Sequence, residues 1–162
     1  MSRRTLLTAG IVVAAAGGAA AIGRATSTLD DVLRALGAQP HPEPDPGDME
    51  RVSRAARDQA VIVATLSAVA EQHRDASAQV KPLITLANDQ LDAVGGSTAN
   101  TDVAAPEGDR GTALTAVARL AARSARAREQ DAVTAESPEV ARLLASMAGG
   151  LAQLARTLRL AA

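Results

Sequence analysis

Residues 137–160 read SPEVARLLASMAGGLAQLARTLRL, and this stretch decides the fold class. Its apolar residues recur every three or four positions, at Val140, Leu144, Met147, Leu151, Leu154 and Leu158. That spacing puts them on one face of an α-helix. Ser137 is a good N-cap residue, and proline at position 138 suits the first turn. The stretch therefore predicts an amphipathic helix that buries one face against other helices.

The same periodicity occurs in three earlier stretches. The first predicted helix covers residues 48–78, with a stripe at Val52, Ala56, Gln59, Val63, Leu66, Val69 and His73. The second opens at Pro82 and ends at Gly95 and Gly96, and the third covers residues 111–135. The connections within the first and last pairs are short, which favours two antiparallel hairpins. Residues 48–162 are thus predicted to form an all-α, antiparallel four-helix bundle.

The composition limits both the core and the function. The chain has no Phe, Trp, Tyr or Cys, and its net charge is −1. The core must therefore consist mainly of Ala, Leu and Val, which bury less apolar area than aromatic residues. The absence of cysteine excludes disulfides, thiol nucleophiles and cysteine-bound zinc. Balanced charge without aromatic residues also argues against a nucleic acid as partner.

The first 25 residues have the pattern of an export segment. Arg3 and Arg4 precede Leu6 and Leu7 and an uncharged, Ala- and Gly-rich run to residue 22. This arrangement resembles the twin-arginine export signal. The run is shorter than the roughly 20 residues that cross a bilayer, and small-x-small cleavage sites lie at its end, within residues 19–25. Residues 1–25 are predicted to be a cleaved signal peptide or, alternatively, an uncleaved membrane anchor. Either leaves the remaining chain exported, in the cell envelope or outside it.

Two further segments connect the predicted helices. Residues 26–47 are expected to contain a short helix at 27–36 and an extended spacer in which every second residue from Pro40 to Pro46 is proline. The loop at 95–111 is polar and long: fully extended it reaches roughly 50 Å, whereas a twenty-residue helix is about 30 Å long. It either crosses the whole bundle or makes an excursion between adjacent helices.

Two motifs resemble a known family. Residues 82–96 (PLITLANDQLDAVGG) and 141–148 (ARLLASMA) are similar to helices of the secreted ferritin-like domains of unknown function found in actinobacteria. The resemblance covers residues 48–160 and implies a ferritin-like bundle. In that family the two helices offer histidines and a Glu-x-x-His pair, whereas this chain has Ala87 and Gln90 on the first helix and Leu151 and Leu154 on the second. The bundle is therefore expected to be degenerate, without a dimetal centre or any other cofactor.

Three polar groups remain as candidates. Arg119, Arg123 and Arg126 line up on the third helix and form either a solvated face with ion pairs or a surface for anionic headgroups or an acidic partner. His73 is expected to interact with a helix C-terminus rather than to bind metal with Glu71, because residues two apart face different sides.

The third group is the carboxylate pair Asp89 and Asp92, for which an outer polar face is the default and general acid–base catalysis the alternative. Gly149 and Gly150 interrupt the last helix, and they indicate either close helix packing or a kink.

These observations predict an exported, non-enzymatic helical protein of the cell envelope with a structural or protein-interaction role. Its expected partner is an envelope protein or the membrane surface. The alternative is a carrier for a small apolar ligand, a lipid or a haem, for which His73 and Met147 are the available axial ligands. The third hypothesis is a metal enzyme of the ferritin type, which the missing ligands disfavour.

Overall fold

The computed structural model describes residues 45–99 and 101–162, and this part of the chain is all-α. Its helices are α1 (Pro46–Gln72), α2 (Ser77–Ala93), α3 (Arg110–Thr134) and α4 (Pro138–Ala161). Within the described ranges, no helix is long and apolar enough to span a membrane. The predictions for residues 1–25, including Arg3 and Arg4, and for the short helix at 27–36 concern residues outside the described part.

Side-chain caps fix where three of the helices begin. Asp45 for α1, Asp109 for α3 and Ser137 for α4 each accept a hydrogen bond from the backbone N–H three residues later, at 3.1, 2.8 and 3.4 Å. The backbone hydrogen bond from Thr112 holds the pKa of Asp109 below its ordinary value. This cap therefore keeps its charge to a lower pH than an ordinary aspartate does.

The boundary between the first two helices differs from the prediction. The first helix ends at Gln72 rather than at residue 78, and α2 begins at Ser77 rather than at Pro82. Residues 73–76 form a tight turn, in which Ala76 donates a hydrogen bond to the carbonyl of His73 at 2.9 Å. Pro82 lies inside α2, not at its start. Since Ala76 caps α2 without a side-chain hydrogen bond, the sequence carries no start signal there.

Ion pairs show that α1 and α3 are antiparallel neighbours. Arg128 near the end of α3 pairs with Asp58 in the first half of α1, at 3.2 Å. Arg110 at the start of α3 pairs with Asp75, just beyond the end of α1, at 3.9 Å. The two helices therefore run in opposite directions.

The other neighbours complete the bundle. Gln59 of α1 donates a hydrogen bond to the carbonyl of Ala87 in α2, at 2.9 Å, so these two helices also run antiparallel. The most extensive interface joins α3 and α4, and α4 also has small interfaces with both α1 and α2. Both α2 and α3 flank α1 and are antiparallel to it. They are consequently parallel to each other, and they lie diagonally across the bundle.

The connection between α2 and α3 follows α1 along the bundle. At its start, a Cβ atom on Gly96 would lie 3.2 Å from the Cβ atom of Ala56. Thr101 and Asp102 line surface cavities with α1 residues as far along as Glu71, and α3 then begins beside Asp75. Of the two predicted alternatives for the loop at 95–111, the structure has the crossover.

The core consists of small and aliphatic side chains, as the composition predicted. The buried residues of the predicted stripe in α4 are Leu144, Met147, Leu151, Leu154 and Leu158. In α1 the predicted stripe is buried at Val52, Gln59, Val63, Leu66 and Val69. A second, smaller cluster joins Val52 and Ala55 of α1 to Leu144 and Met147 of α4, at the end of the bundle where α1 begins.

Candidate functional site

The positions at which the resembling ferritin-like family has metal ligands line the interior of this bundle. Ala87, Leu151 and Leu154 are buried in one core cluster, with exposures of 0%, 1% and 1%. Gln90 is half-buried beside them and accepts a hydrogen bond from Gln59 Nε2 at 3.3 Å. Aliphatic side chains cannot ligate a metal, and a carboxamide is a weak ligand compared with a carboxylate. These residues do not fit a dimetal centre, and in the described part of the chain no three His, Asp or Glu side chains group around a metal position.

A buried carboxamide pair crosses the interior at this level. Gln59 is 1% exposed, and its Nε2 reaches both the Ala87 carbonyl and Gln90 Oε1. Its Oε1 has no hydrogen-bond partner among the described residues. The amide group of Gln90 in turn lies directly against Gly150 of α4. Polar side chains from α1 and α2 therefore meet the backbone of α4 in the middle of an apolar core.

The two glycines of α4 give a matched pair of variants. A Cβ atom at Gly149 would meet nothing within 4 Å, whereas one at Gly150 would overlap Gln90 Nε2. We expect Gly149→Ala to raise the free energy of unfolding by about 0.5–1 kcal/mol through helix propensity. Gly150→Ala should lose this gain because Gln90 must leave its place. Urea unfolding followed by circular dichroism measures both effects.

The control for this comparison is the same pair in a Gln90→Ala background. With the amide removed, the difference between Gly149→Ala and Gly150→Ala should disappear. An equal gain from both alanines in the native background would contradict close packing at Gly150. Close packing is one of the two explanations that the glycine pair suggested, and the structure supports it at Gly150 alone.

His73 and Met147 do not fit a haem. His73 is the C-cap residue of α1, and its Nε2 is buried without a hydrogen-bond partner among the described residues. Met147 packs near Val52, close to the start of α1. His73 lies 21 positions after Val52, which is about 32 Å along the axis of α1. These two side chains cannot ligate one iron from opposite sides.

A charged network that was not predicted from the sequence joins α1 and α3. The side chain of Arg128 is 1% exposed and pairs with Asp131 at 2.9 Å and with Asp58 at 3.2 Å. Asp131 also accepts a hydrogen bond from Arg54 Nη2 at 2.7 Å, and this bond raises the pKa of Arg54 above its ordinary value. Two arginines thus share one carboxylate that is 13% exposed. Such a network fixes the register of the two helices.

Asp48 is a second buried charged residue that was not predicted from the sequence. Its carboxylate is 1% exposed and accepts hydrogen bonds from the backbone N–H groups of Glu136 and Ser137, at 3.1 and 2.7 Å. It also pairs with Arg51 at 3.0 Å. A side chain in the first turn of α1 therefore holds the turn that connects α3 to α4.

The predicted arginine row lies on the outer face of α3. Arg119, Arg123 and Arg126 are all exposed, and none makes an ion pair with a residue in the described ranges. The buried residues of α3 lie on its opposite side, at positions such as Ala121 and Arg128. We call the three exposed arginines the basic face. By contrast, Arg54, Arg110 and Arg128 each form an ion pair with a carboxylate outside their own helix.

The balanced net charge hides an asymmetry between the two hairpins. Residues 46–93, which contain α1 and α2, carry five Lys and Arg against seven Asp and Glu. The crossover at 94–109 adds three acidic residues. Residues 110–161, which contain α3 and α4, carry eight Arg against four Asp and Glu. Asp89 and Asp92 are exposed on α2 and belong to the acidic half; their exposure agrees with the outer polar face expected of them.

A surface groove lies between α1 and the crossover. One part has a volume of about 540 Å³ and is lined by residues that include Ala56, Ala60, Val61 and Arg57. A neighbouring part of about 280 Å³ extends to Glu71 and shares Thr101, Asp102 and Val103 with the first. Both are open to solvent at the surface, outside the packed interior that the carrier hypothesis proposed as the ligand site.

Comparison with known proteins found no matching family model, no matching curated protein and no matching solved structure.

Proposed function

We propose that this chain is an exported, non-enzymatic interaction module of the cell envelope, and that its basic face is the binding surface. The observation that carries the proposal is the exposure of Arg119, Arg123 and Arg126 in one row without carboxylate partners among the described residues. Three adjacent arginines repel one another, and an acidic partner or an anionic surface relieves that repulsion. The described interior around Ala87, Leu151 and Leu154 is meanwhile filled by aliphatic side chains and the carboxamides of Gln59 and Gln90.

We further propose that the architecture is a degenerate ferritin-like bundle. The features that support it are two antiparallel hairpins joined by a crossover, with the resembling positions Ala87, Leu151 and Leu154 in the interior. Export rests on the arginine pair and uncharged run in residues 1–25.

The test of this proposal is retention in the envelope of the native host. The variant replaces Arg119, Arg123 and Arg126 together by Gln, which removes the charge and keeps side-chain length. We expect it to be exported but to shift from the envelope fraction to the soluble exported fraction. Raising the salt concentration should release the wild-type protein in the same way, since exposed charges are screened.

The matched control replaces Arg74, Arg156 and Arg159 by Gln. These three arginines are also exposed and have no ion pair within the described residues, so the change in net charge is identical. The control should fractionate like the wild type. Equal release of both variants would show that total charge, not the basic face, retains the protein.

The surface groove favours a second candidate function, the binding of an apolar ligand such as a lipid. Ala56, Ala60 and Val61 give it an apolar floor beside Arg57, whose charge suits an anionic headgroup. Stoichiometric lipid in extracts of the purified chain would favour this candidate, and a Val61→Asp variant should then lose that lipid.

A further inference from the structure

We infer that the basic face of α3 binds a second copy of this chain through Asp89 and Asp92 on the outer face of α2. The inference rests on the proposed function, because it uses the same binding surface and names its partner. Its starting point is the charge asymmetry between the two hairpins, which gives one molecule both halves of a complementary contact.

The two charged faces lie at the same height along the bundle. Neighbouring residues of α1 mark this height: Asp58 pairs with Arg128 of α3, and Gln59 bonds to Ala87 and Gln90 of α2. On α3, the exposed Arg126 is two residues from this level. On α2, the exposed Asp89 lies between the two residues that Gln59 contacts. Basic and acidic groups thus form a band around the middle of the molecule.

The faces also point in opposite directions. The helices α2 and α3 lie diagonally across the bundle and run parallel, and each carries its charges on the side away from its buried residues. A second molecule shifted sideways without rotation therefore brings its Asp89 opposite Arg126 of the first, and an additional shift of about 7 Å along the axis pairs Asp89 with Arg123 and Asp92 with Arg126. Such a head-to-tail contact leaves a basic face open at one end and an acidic face at the other, so it can repeat into a row.

Neighbouring charges do not cancel either face. Glu129 is exposed three residues after Arg126, but it forms no ion pair with that arginine in the described structure. Lys81 lies eight residues before Asp89 on α2, which is about 12 Å along the axis. Exposed ion pairs are individually weak and are screened by salt, so the association should be weak and strongly dependent on ionic strength.

Sedimentation velocity of the full chain tests the contact. The measurement covers a range of protein concentrations at salt concentrations of about 0.01 M and about 1 M, where the Debye lengths are about 30 and 3 Å. At low salt we expect the mean sedimentation coefficient of the wild type to rise with protein concentration. At high salt it should remain at the monomer value.

Charge-reversal variants identify the two faces. Arg123→Asp with Arg126→Asp makes both faces acidic, and Asp89→Arg with Asp92→Arg makes both basic. Each variant alone should show an apparent dissociation constant raised about tenfold or more, because attraction is replaced by repulsion. An equimolar mixture of the two should associate again. The control, Arg156→Asp with Arg159→Asp, should associate like the wild type, and circular dichroism checks that every variant remains helical.

The possible results decide between the two proposals. A wild type that stays monomeric at low salt, or a mixture that fails to associate, would overturn the self-association. The proposed function would still stand if the Arg119, Arg123 and Arg126 variant were released from the envelope of the native host. If that variant were retained there and the purified wild type were also monomeric, both proposals would fail.

Discussion

Replacement of Arg128 by alanine is expected to lower the free energy of unfolding by about 3 kcal/mol. The guanidinium is buried between Asp58 and Asp131, and its Nε has no acceptor among the described residues. Truncation leaves Asp131 with Arg54 as its remaining partner and opens space in the interface between α1 and α3. Because Asp58 is 44% exposed, water can solvate it after the change, which places the cost at the lower end for a broken buried pair. Domains of this kind are stable by about 5–15 kcal/mol, so this is a large fraction.

The control for Arg128→Ala lies two residues away on the same helix. Arg126 is exposed, and Arg126→Ala should change the free energy of unfolding by no more than about 0.5 kcal/mol. Both variants lose the same charge and gain the same helix propensity, so their difference isolates burial. Urea denaturation followed at the helical circular dichroism band measures it. Indistinguishable unfolding curves for the two variants would mean that Arg128 is solvated in solution.

Replacement of Asp48 by alanine is the second change with a large expected effect, about 2–4 kcal/mol. The carboxylate receives the backbone N–H groups of Glu136 and Ser137 as well as Arg51. Its loss leaves those two donors without their acceptor at the start of α4 and leaves Arg51 without its carboxylate. The loss of unfolding free energy in Asp48→Asn should be smaller than in Asp48→Ala. The asparagine carbonyl oxygen can accept a hydrogen bond from one of the two N–H groups, while its NH₂ group opposes the other.

Glu50 provides the comparison for Asp48. It lies in the same turn of α1, is exposed, and reaches Arg54 at a distance of 3.8 Å. Glu50→Gln removes a negative charge without removing a buried acceptor, and it should cost no more than about 0.5 kcal/mol. Hydrogen exchange at the amide groups of residues 136 and 137 adds a local measurement. Faster exchange there in Asp48→Ala, but not in Glu50→Gln, would identify the bond to the turn as the cause.

The periodicity of apolar residues predicted most of the described fold. In α3 and α4 the helix bounds agree with the prediction to within a residue or two, because Asp109, Ser137 and Pro138 provide start signals in the local sequence. The start of α2 was placed at Pro82, five residues too late. Here Ala76 precedes the helix without a capping side chain, while a proline inside the helix imitates a first-turn residue. The local sequence therefore predicts where a helix begins only when the groups that cap it are close to it in sequence.

The buried charges were missed for a different reason. Arg128 was not singled out from the sequence, although it continues the buried positions Ala121 and Ser124 or Ala125 at helical spacing. That spacing was visible in the sequence. The pairing with Asp58, 70 residues earlier, could not be seen in the sequence, because ion pairs between helices depend on which helix faces meet. The same holds for Asp48 and the turn at residues 136–137, which pair across almost 90 residues.

The order of the helices also has a kinetic consequence. Contacts between α3 and α4 join residues close in sequence, and closing the short turn between them costs little chain entropy. The contact from Asp58 to Arg128 instead requires a loop of 70 residues to close, including the whole crossover. Since rates of folding fall as contacts become less local, we expect the α3–α4 hairpin to form early and the α1–α3 interface to form late. Substitutions at Asp58 and Arg128 would then change the rate of unfolding more than the rate of folding.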